Sequence, residues 1–171
     1  MHFLMIALRL LHIVLGVFWA GAIFFVALFL EPSVRAAGPG GAPVMLKLKN
    51  RRYFEIMPAI AALAILSGLG SFWVDSSGFA TSWVRSPMGL SLSVGGLVVI
   101  VAFVVGVSVM RPAVLRLFAL AQSVQQLPEG ETRQTRMAEL QALRLRAAAL
   151  GRWVAGLLAV GVAAMAIARY L

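Results

Sequence analysis

Apolar and polar positions alternate in long blocks, giving four extended uncharged stretches separated by basic connections. The first covers residues 3–30 and is broken only by Arg9 and His12. The second covers 54–74 and opens through Glu55 and Pro58, a proline that a first helical turn tolerates. The third, 87–110, holds no charge, and the fourth, 152–170, is bracketed by Arg152 and Arg169, whose stems can snorkel to two interfaces. At ~1.5 Å per residue, a hydrocarbon layer of ~30 Å takes roughly 20 residues to cross. The pattern therefore predicts an all-α integral membrane protein: one membrane domain over residues 1–171, folded as a four-transmembrane-helix bundle. The opening stretch reads as a span rather than a cleaved signal, because its apolar run is overlong and begins before the first arginine.

Helical periodicity does not stop at the span ends. After residue 110, PAVLRLFALAQSVQQ stays helical in pattern, LPEGE breaks it, and TRQTRMAELQALRLRAAALGRW resumes it into the fourth span. Helices 3 and 4 are thus expected to extend into a cytoplasmic helical hairpin over 111–151, with Leu117, Ala121, Val124, Met137, Leu140 and Leu143 along its seam. The alternative is an amphipathic segment lying on the membrane. In the first connection, AAGPGGA marks a turn, and residues 43–52 read as a short interfacial helix running into the second span.

Composition agrees with the pattern: 61% hydrophobic and 12% charged residues exclude an ordinary water-soluble domain. The net charge of +9 would suggest nucleic acid in a soluble chain, but here twelve of the fifteen Lys and Arg residues lie in the first and third connections. Those two connections share a side, so the charge is topological and no nucleic acid is expected. The expected location is a bacterial-type inner membrane, multi-pass, with loops 31–53 and 111–152 cytoplasmic and both termini outside. Small residues such as Ser67, Gly68, Ser71, Ser91, Gly95 and Gly161 would let helices approach closely. Cysteine is absent, which removes disulfides, thiolate metal sites and a cysteine nucleophile.

What topology leaves unexplained sits on the first helix. At ~100° per residue, Met5, Arg9, His12, Gly16, Trp19 and Ile23 share one arc, and His2 lies at its edge. Such an arc should face protein or a bound group rather than lipid. His12 lies roughly 13 Å along the helix, deep enough that an unpartnered ring is costly. A neutral imidazole can ligate through one nitrogen while the other is fixed by a hydrogen bond, which makes His12 an axial-ligand candidate for haem iron. Gly16 and Trp19 would form the pocket wall, and Arg9, assisted by Arg169, would meet the propionates. The bland alternative is that one His and one Arg near a helix end satisfy backbone carbonyls or headgroups. His2 lies about 15 Å from His12 along a straight helix, so it could serve the same metal only from a second copy; otherwise it is a terminal residue.

Elsewhere the chemistry is sparse. All six carboxylates fall at span ends or in connections, and no phosphate-binding loop, zinc spacing or nucleophilic triad occurs. Glu55 and Tyr53 beside Arg51 and Arg52 could meet a quinone headgroup or an anion, against the plainer reading of a solvated boundary cluster.

LHIVLGVFWAGAIFF resembles the opening helix of small four-helix bacterial membrane proteins of the copper-resistance D and HemJ-like group, whose signature is Leu-His followed by Trp and Gly. RRYFEIMPAIAALAILSGLGSFW is similar to their second span, and MAIARYL to the ending of uncharacterised relatives. The resemblance covers spans one, two and four. It implies a four-helix bundle in which His12 binds haem b in one branch or takes part in copper handling in the other. HemJ-type porphyrinogen oxidation is associated with a third-helix lysine, and residues 86–110 contain no basic residue. Only Met1, His2 and Met5 group sulfur and imidazole at one end, as copper passage would require.

Three functions are thus expected in order. First is a b-type haem-binding membrane protein, a homodimer in electron transfer or small-molecule redox chemistry, with an electron-carrying quinone or other redox partner. It would be a haem-dependent oxidoreductase if it is an enzyme at all. Second is a copper-handling or small-solute transporter, with His12 and His2 as metal ligands. Third is a structural protein whose hairpin docks a partner.

Overall fold

The computed structural model describes residues 2–171, Pro39 by its backbone alone, and these form helices joined by short turns with no strand among them. Helix α1, His2–Phe25, widens into a π turn at Val26–Leu30 and continues as α2, Glu31–Ala36. A 3-10 turn, Gly38–Gly41, leads to α3, Ala42–Asn50, then to α4, Tyr53–Asp75, and a short α5, Thr81–Val84. Helix α6, Pro87–Val105, passes through a second π turn at Gly106–Met110 into α7, Arg111–Gln126, and α8, Glu131–Ile167, closes the chain with a 3-10 turn at Ala168–Tyr170.

Four continuous rods are long and apolar enough to cross a membrane: His2–Ala36, Tyr53–Asp75, Pro87–Gln126 and Glu131–Tyr170. The last two have 40 residues each. At ~1.5 Å per residue they reach about 60 Å, twice the hydrocarbon thickness. We call the end holding α2, α3 and the 127–130 turn the basic end, and the end holding both termini the terminal end.

Helix α1 packs on α4 and α6 on α8, while α7 lies along α8. The buried core, Trp19, Ile23, Ala61, Ala102, Val154 and Leu158, joins the pairs. Helices α6 and α8 cross where both backbones are bare: a methyl added at Gly161 would lie 2.5 Å from a Val99 methyl, and one at Gly95 would lie 3.0 Å from the Gly161 carbonyl oxygen. Ser91 fastens that contact by donating to the Ala164 carbonyl at 2.8 Å. Close backbone approach through small residues is how helices associate when lipid competes with their apolar side chains.

Prolines explain the irregular turns. In each π turn the backbone N–H just before a proline reaches back five residues, from Glu31 to Val26 and from Arg111 to Gly106, and Pro32 and Pro112 follow at once. A proline brings a ring and no donor, so a widened turn there relieves the crowding of the carbonyls behind it. Pro58 is handled otherwise. It does not sit in a first turn as expected, because α4 begins at Tyr53 and makes Pro58 interior. The Phe54 carbonyl therefore has no helical N–H to accept, and Arg111 Nε donates to it at 2.9 Å.

Two other expectations are refined. Helix α3 does not run into the second span: Arg52 adopts a left-handed conformation, φ 59°, between them. The turn lets the chain change from the direction of α3 to that of α4, with Arg52 N–H closing on the Lys49 carbonyl. Among the seam residues named above, Val124 and Leu140 are buried and Met137 is exposed. Phe118 is buried as well, edge-on to Phe54 at 5.8 Å, with the Lys49 ammonium 5.3 Å above its ring.

Candidate functional site

The polar arc of α1 faces α4 over its first half and the core over its second. Ala61, Ala64, Ser67 and Ser71 are buried on α4 and present the small-residue stripe that α1 lies on. Gly68 extends it. The His12 ring rests on that glycine so closely that an added methyl would lie 2.7 Å from ring Cε1 and Nδ1. From there Nδ1 reaches the Ala64 carbonyl at 2.7 Å. A carbonyl only accepts, so Nδ1 carries the proton and donates, which in a neutral imidazole puts the lone pair on Nε2. Nε2 makes no hydrogen bond and is not among the fully buried polar atoms left without a partner, on a ring that is half-buried.

One turn toward the terminal end, a single terminal nitrogen of Arg9 donates to both carboxylate oxygens of Asp75, at 2.9 and 3.1 Å. Sequence reasoning had no partner for Arg9 in the chain. The pairing follows from the antiparallel register of α1 and α4, in which Leu8 faces Gly70, His12 faces Gly68 and Arg9 meets the last residue of α4. Arg9 is 56% exposed, and its Nε and second terminal nitrogen make no hydrogen bond among the described residues.

The remaining candidates fall in different places. Gly16, one turn from His12 toward the basic end, is half-buried, and a methyl there would meet nothing within 4 Å, so the surface beside the imidazole is open. Trp19 is a core residue, edge-on to Phe103 at 6.3 Å, and lines a small apolar cavity with Ile23, Phe54 and Met57. Arg169 is exposed in the closing 3-10 turn, stacked 5.3 Å over Tyr170. His2 is exposed at the start of α1 and Met1 lies outside the described residues, so the terminal grouping of Met and His is seen only in part. Glu55 is exposed and pairs loosely with Arg52 at 3.5 Å. Among the described residues no group of three or more His, Cys, Asp or Glu converges as a metal site.

No family model, curated protein or solved structure matches the chain.

Proposed function

We propose that this is a haem b-binding integral membrane protein that works as a homodimer in electron transfer or small-molecule redox chemistry. The observation that carries the reading is the His12 imidazole, with Nδ1–H committed to the Ala64 carbonyl and Nε2 free of any hydrogen bond. Metal-bound histidines are held this way, the second nitrogen donating to a carbonyl so that ring orientation and tautomer are fixed. The plainer role foreseen for such a residue, satisfying a backbone carbonyl, uses only one of the two nitrogens. The residues fit one axial position of a haem: a free imidazole nitrogen beside an open apolar surface at Gly16. Arg9 keeps donors beyond those given to Asp75 and lies toward the terminal end, where propionates would meet water.

When bound, a haem supplies one-electron redox chemistry. The chain holds the ligating nitrogen in place through α4, keeps its lone pair unengaged, and offers a guanidinium one turn away. Because α1 is largely exposed beside His12, at Leu11, Ile13 and Val14, a group bound there would be flanked by a second molecule, and a second copy of this chain is the proposed neighbour. The haem reading also asks least of the chain, since the macrocycle brings four nitrogen ligands of its own, whereas a bare copper ion needs several from the protein. The basic end is proposed to be cytoplasmic, with the α7–α8 hairpin reaching into the cytoplasm, from the excess of Lys and Arg in those connections.

The full chain, expressed with haem supplied and purified in mild detergent, should show a Soret band and reduced-minus-oxidised peaks of a b-type pigment. His12→Ala should lose them, and added imidazole should restore part of the signal. A colourless wild-type protein, or a His12→Ala protein with an unchanged spectrum, overturns the reading.

A further inference from the structure

A second site lies at the basic end. The end of α1 with its π turn, helices α2, α3, α7 and α8 and the first turn of α4 line a half-open cavity of about 370 Å³, walled largely by apolar side chains such as Val26, Leu117, Phe118, Leu145 and Ala148. Volume and lining are those of a small-molecule site. Two side-chain atoms in the described residues are buried without any hydrogen-bond partner, Glu31 Oε2 and the Tyr53 hydroxyl, and both residues line this cavity. Leaving such atoms unpaired inside apolar walls is unfavourable, and neither is open to water as placed, so a ligand supplies their partners once the two side chains turn toward the cavity. Both segments that bring Glu31 and α7 to the cavity start from π turns, a feature that recurs at functional sites.

The order of charges along α2 selects the ligand. Glu31 precedes Arg35 by one helical turn, ~6 Å nearer the apolar span, and Arg35 and Arg144 also line the cavity. A phospholipid entering with its tails toward the bilayer would set its phosphate at the depth of the carboxylate and its amine among the guanidinia, which is the wrong order for both. A fatty acid would set carboxylate against carboxylate. A neutral ring bearing hydroxyls, followed by an apolar tail, has its polar atoms at the right depth and no charge to oppose Glu31.

We infer that this cavity binds the headgroup of a lipid-soluble quinol, with Glu31 accepting from a ring hydroxyl and the Tyr53 hydroxyl bonding a ring oxygen. Glu31, not the exposed Glu55, is the carboxylate of the site. His12 and Glu31 are about 28 Å apart along the helix axis, so occupancy here is measured separately from any pigment at His12 and stands whether or not that pigment is found.

The test uses the full chain in nanodiscs of phosphatidylethanolamine and phosphatidylglycerol, labelled with an azido-ubiquinone carrying a two-isoprene tail. Crosslinks are expected in peptides covering 26–54, 114–125 and 144–151, with displacement by unlabelled ubiquinol. Glu31→Gln and Tyr53→Phe should each lower labelling at least fivefold with an unchanged melting midpoint. Labelling confined to other surfaces, labelling insensitive to both substitutions, or displacement by added phosphatidylethanolamine but not by ubiquinol overturns the proposal. If neither variant folds, the crosslink map and the competition on the wild-type chain decide.

Discussion

Gly68 determines where the His12 ring can lie. A methyl at that position would meet the ring at 2.7 Å, and the ring cannot retreat without giving up the Ala64 carbonyl. If His12 ligates a haem as proposed, Gly68→Ala is expected to bleach or shift that pigment while leaving helix content intact, as read by visible absorption beside circular dichroism. Gly16 provides the contrast: its added methyl meets nothing in the chain, so Gly16→Ala should leave the colourless protein as stable or slightly more so. Any loss of pigment in Gly16→Ala would then report the bound group itself. The Arg9–Asp75 pair looks decisive on distance but is more than half exposed on the arginine side. Asp75→Asn should cost within about 1 kcal/mol in a detergent melt, as solvent-screened pairs do. His12, Arg9 and Gly16 stand out as candidates in the sequence because each departs from the apolar composition around it. Asp75, Gly68 and the Ala64 carbonyl were not assigned to the site, because their roles depend on the register of α4 against α1. Glu31 was passed over since a carboxylate at a span end ordinarily finds water, and only the packing of α2, α3 and α7 encloses it.

At the scale of the helix, the four apolar stretches were legible almost to their ends, since composition alone separates them. Irregularities inside the rods were not, because they express local conflicts settled by neighbours. Pro58 is the clearest case: its missing N–H orphans the Phe54 carbonyl, and the compensating donor, Arg111, comes from a helix 53 residues further on. Arg111→Met should destabilise the chain by about 1–3 kcal/mol, the cost of a buried carbonyl left unpaired. Pro58→Ala restores a helical donor, and the double variant should recover most of the loss, which a thermal double-mutant cycle will read. The α6–α8 crossing is constrained differently: a methyl at Gly161 meets the Gly95 carbonyl oxygen at 3.1 Å as well as the Val99 methyl, and turning Val99 aside leaves the backbone contact in place. Gly161→Val should cost on the order of 1–3 kcal/mol by overpacking and break the Ser91 bond to Ala164.

On the scale of the whole molecule, the absence of cysteine makes single thiols clean reporters of topology. If the basic end is cytoplasmic as proposed, Ser82→Cys should react with an impermeant maleimide on intact cells and Gln141→Cys only after permeabilisation. Both positions are exposed. The π turns set the relation between the two halves of the first and third rods, His2–Ala36 and Pro87–Gln126. Each takes in one residue more than an α turn, so everything beyond it is rotated by about 100° from where an unbroken helix would carry it. The rods are cranks, with one apolar stripe in phase with the bundle and another, offset, in phase with whatever packs at the basic end. Removing a single residue such as Val109 would restore α phase, swing Phe118 away from Phe54 and leave α7 out of step with α8, although the third span would lose only one residue and stay long enough to cross.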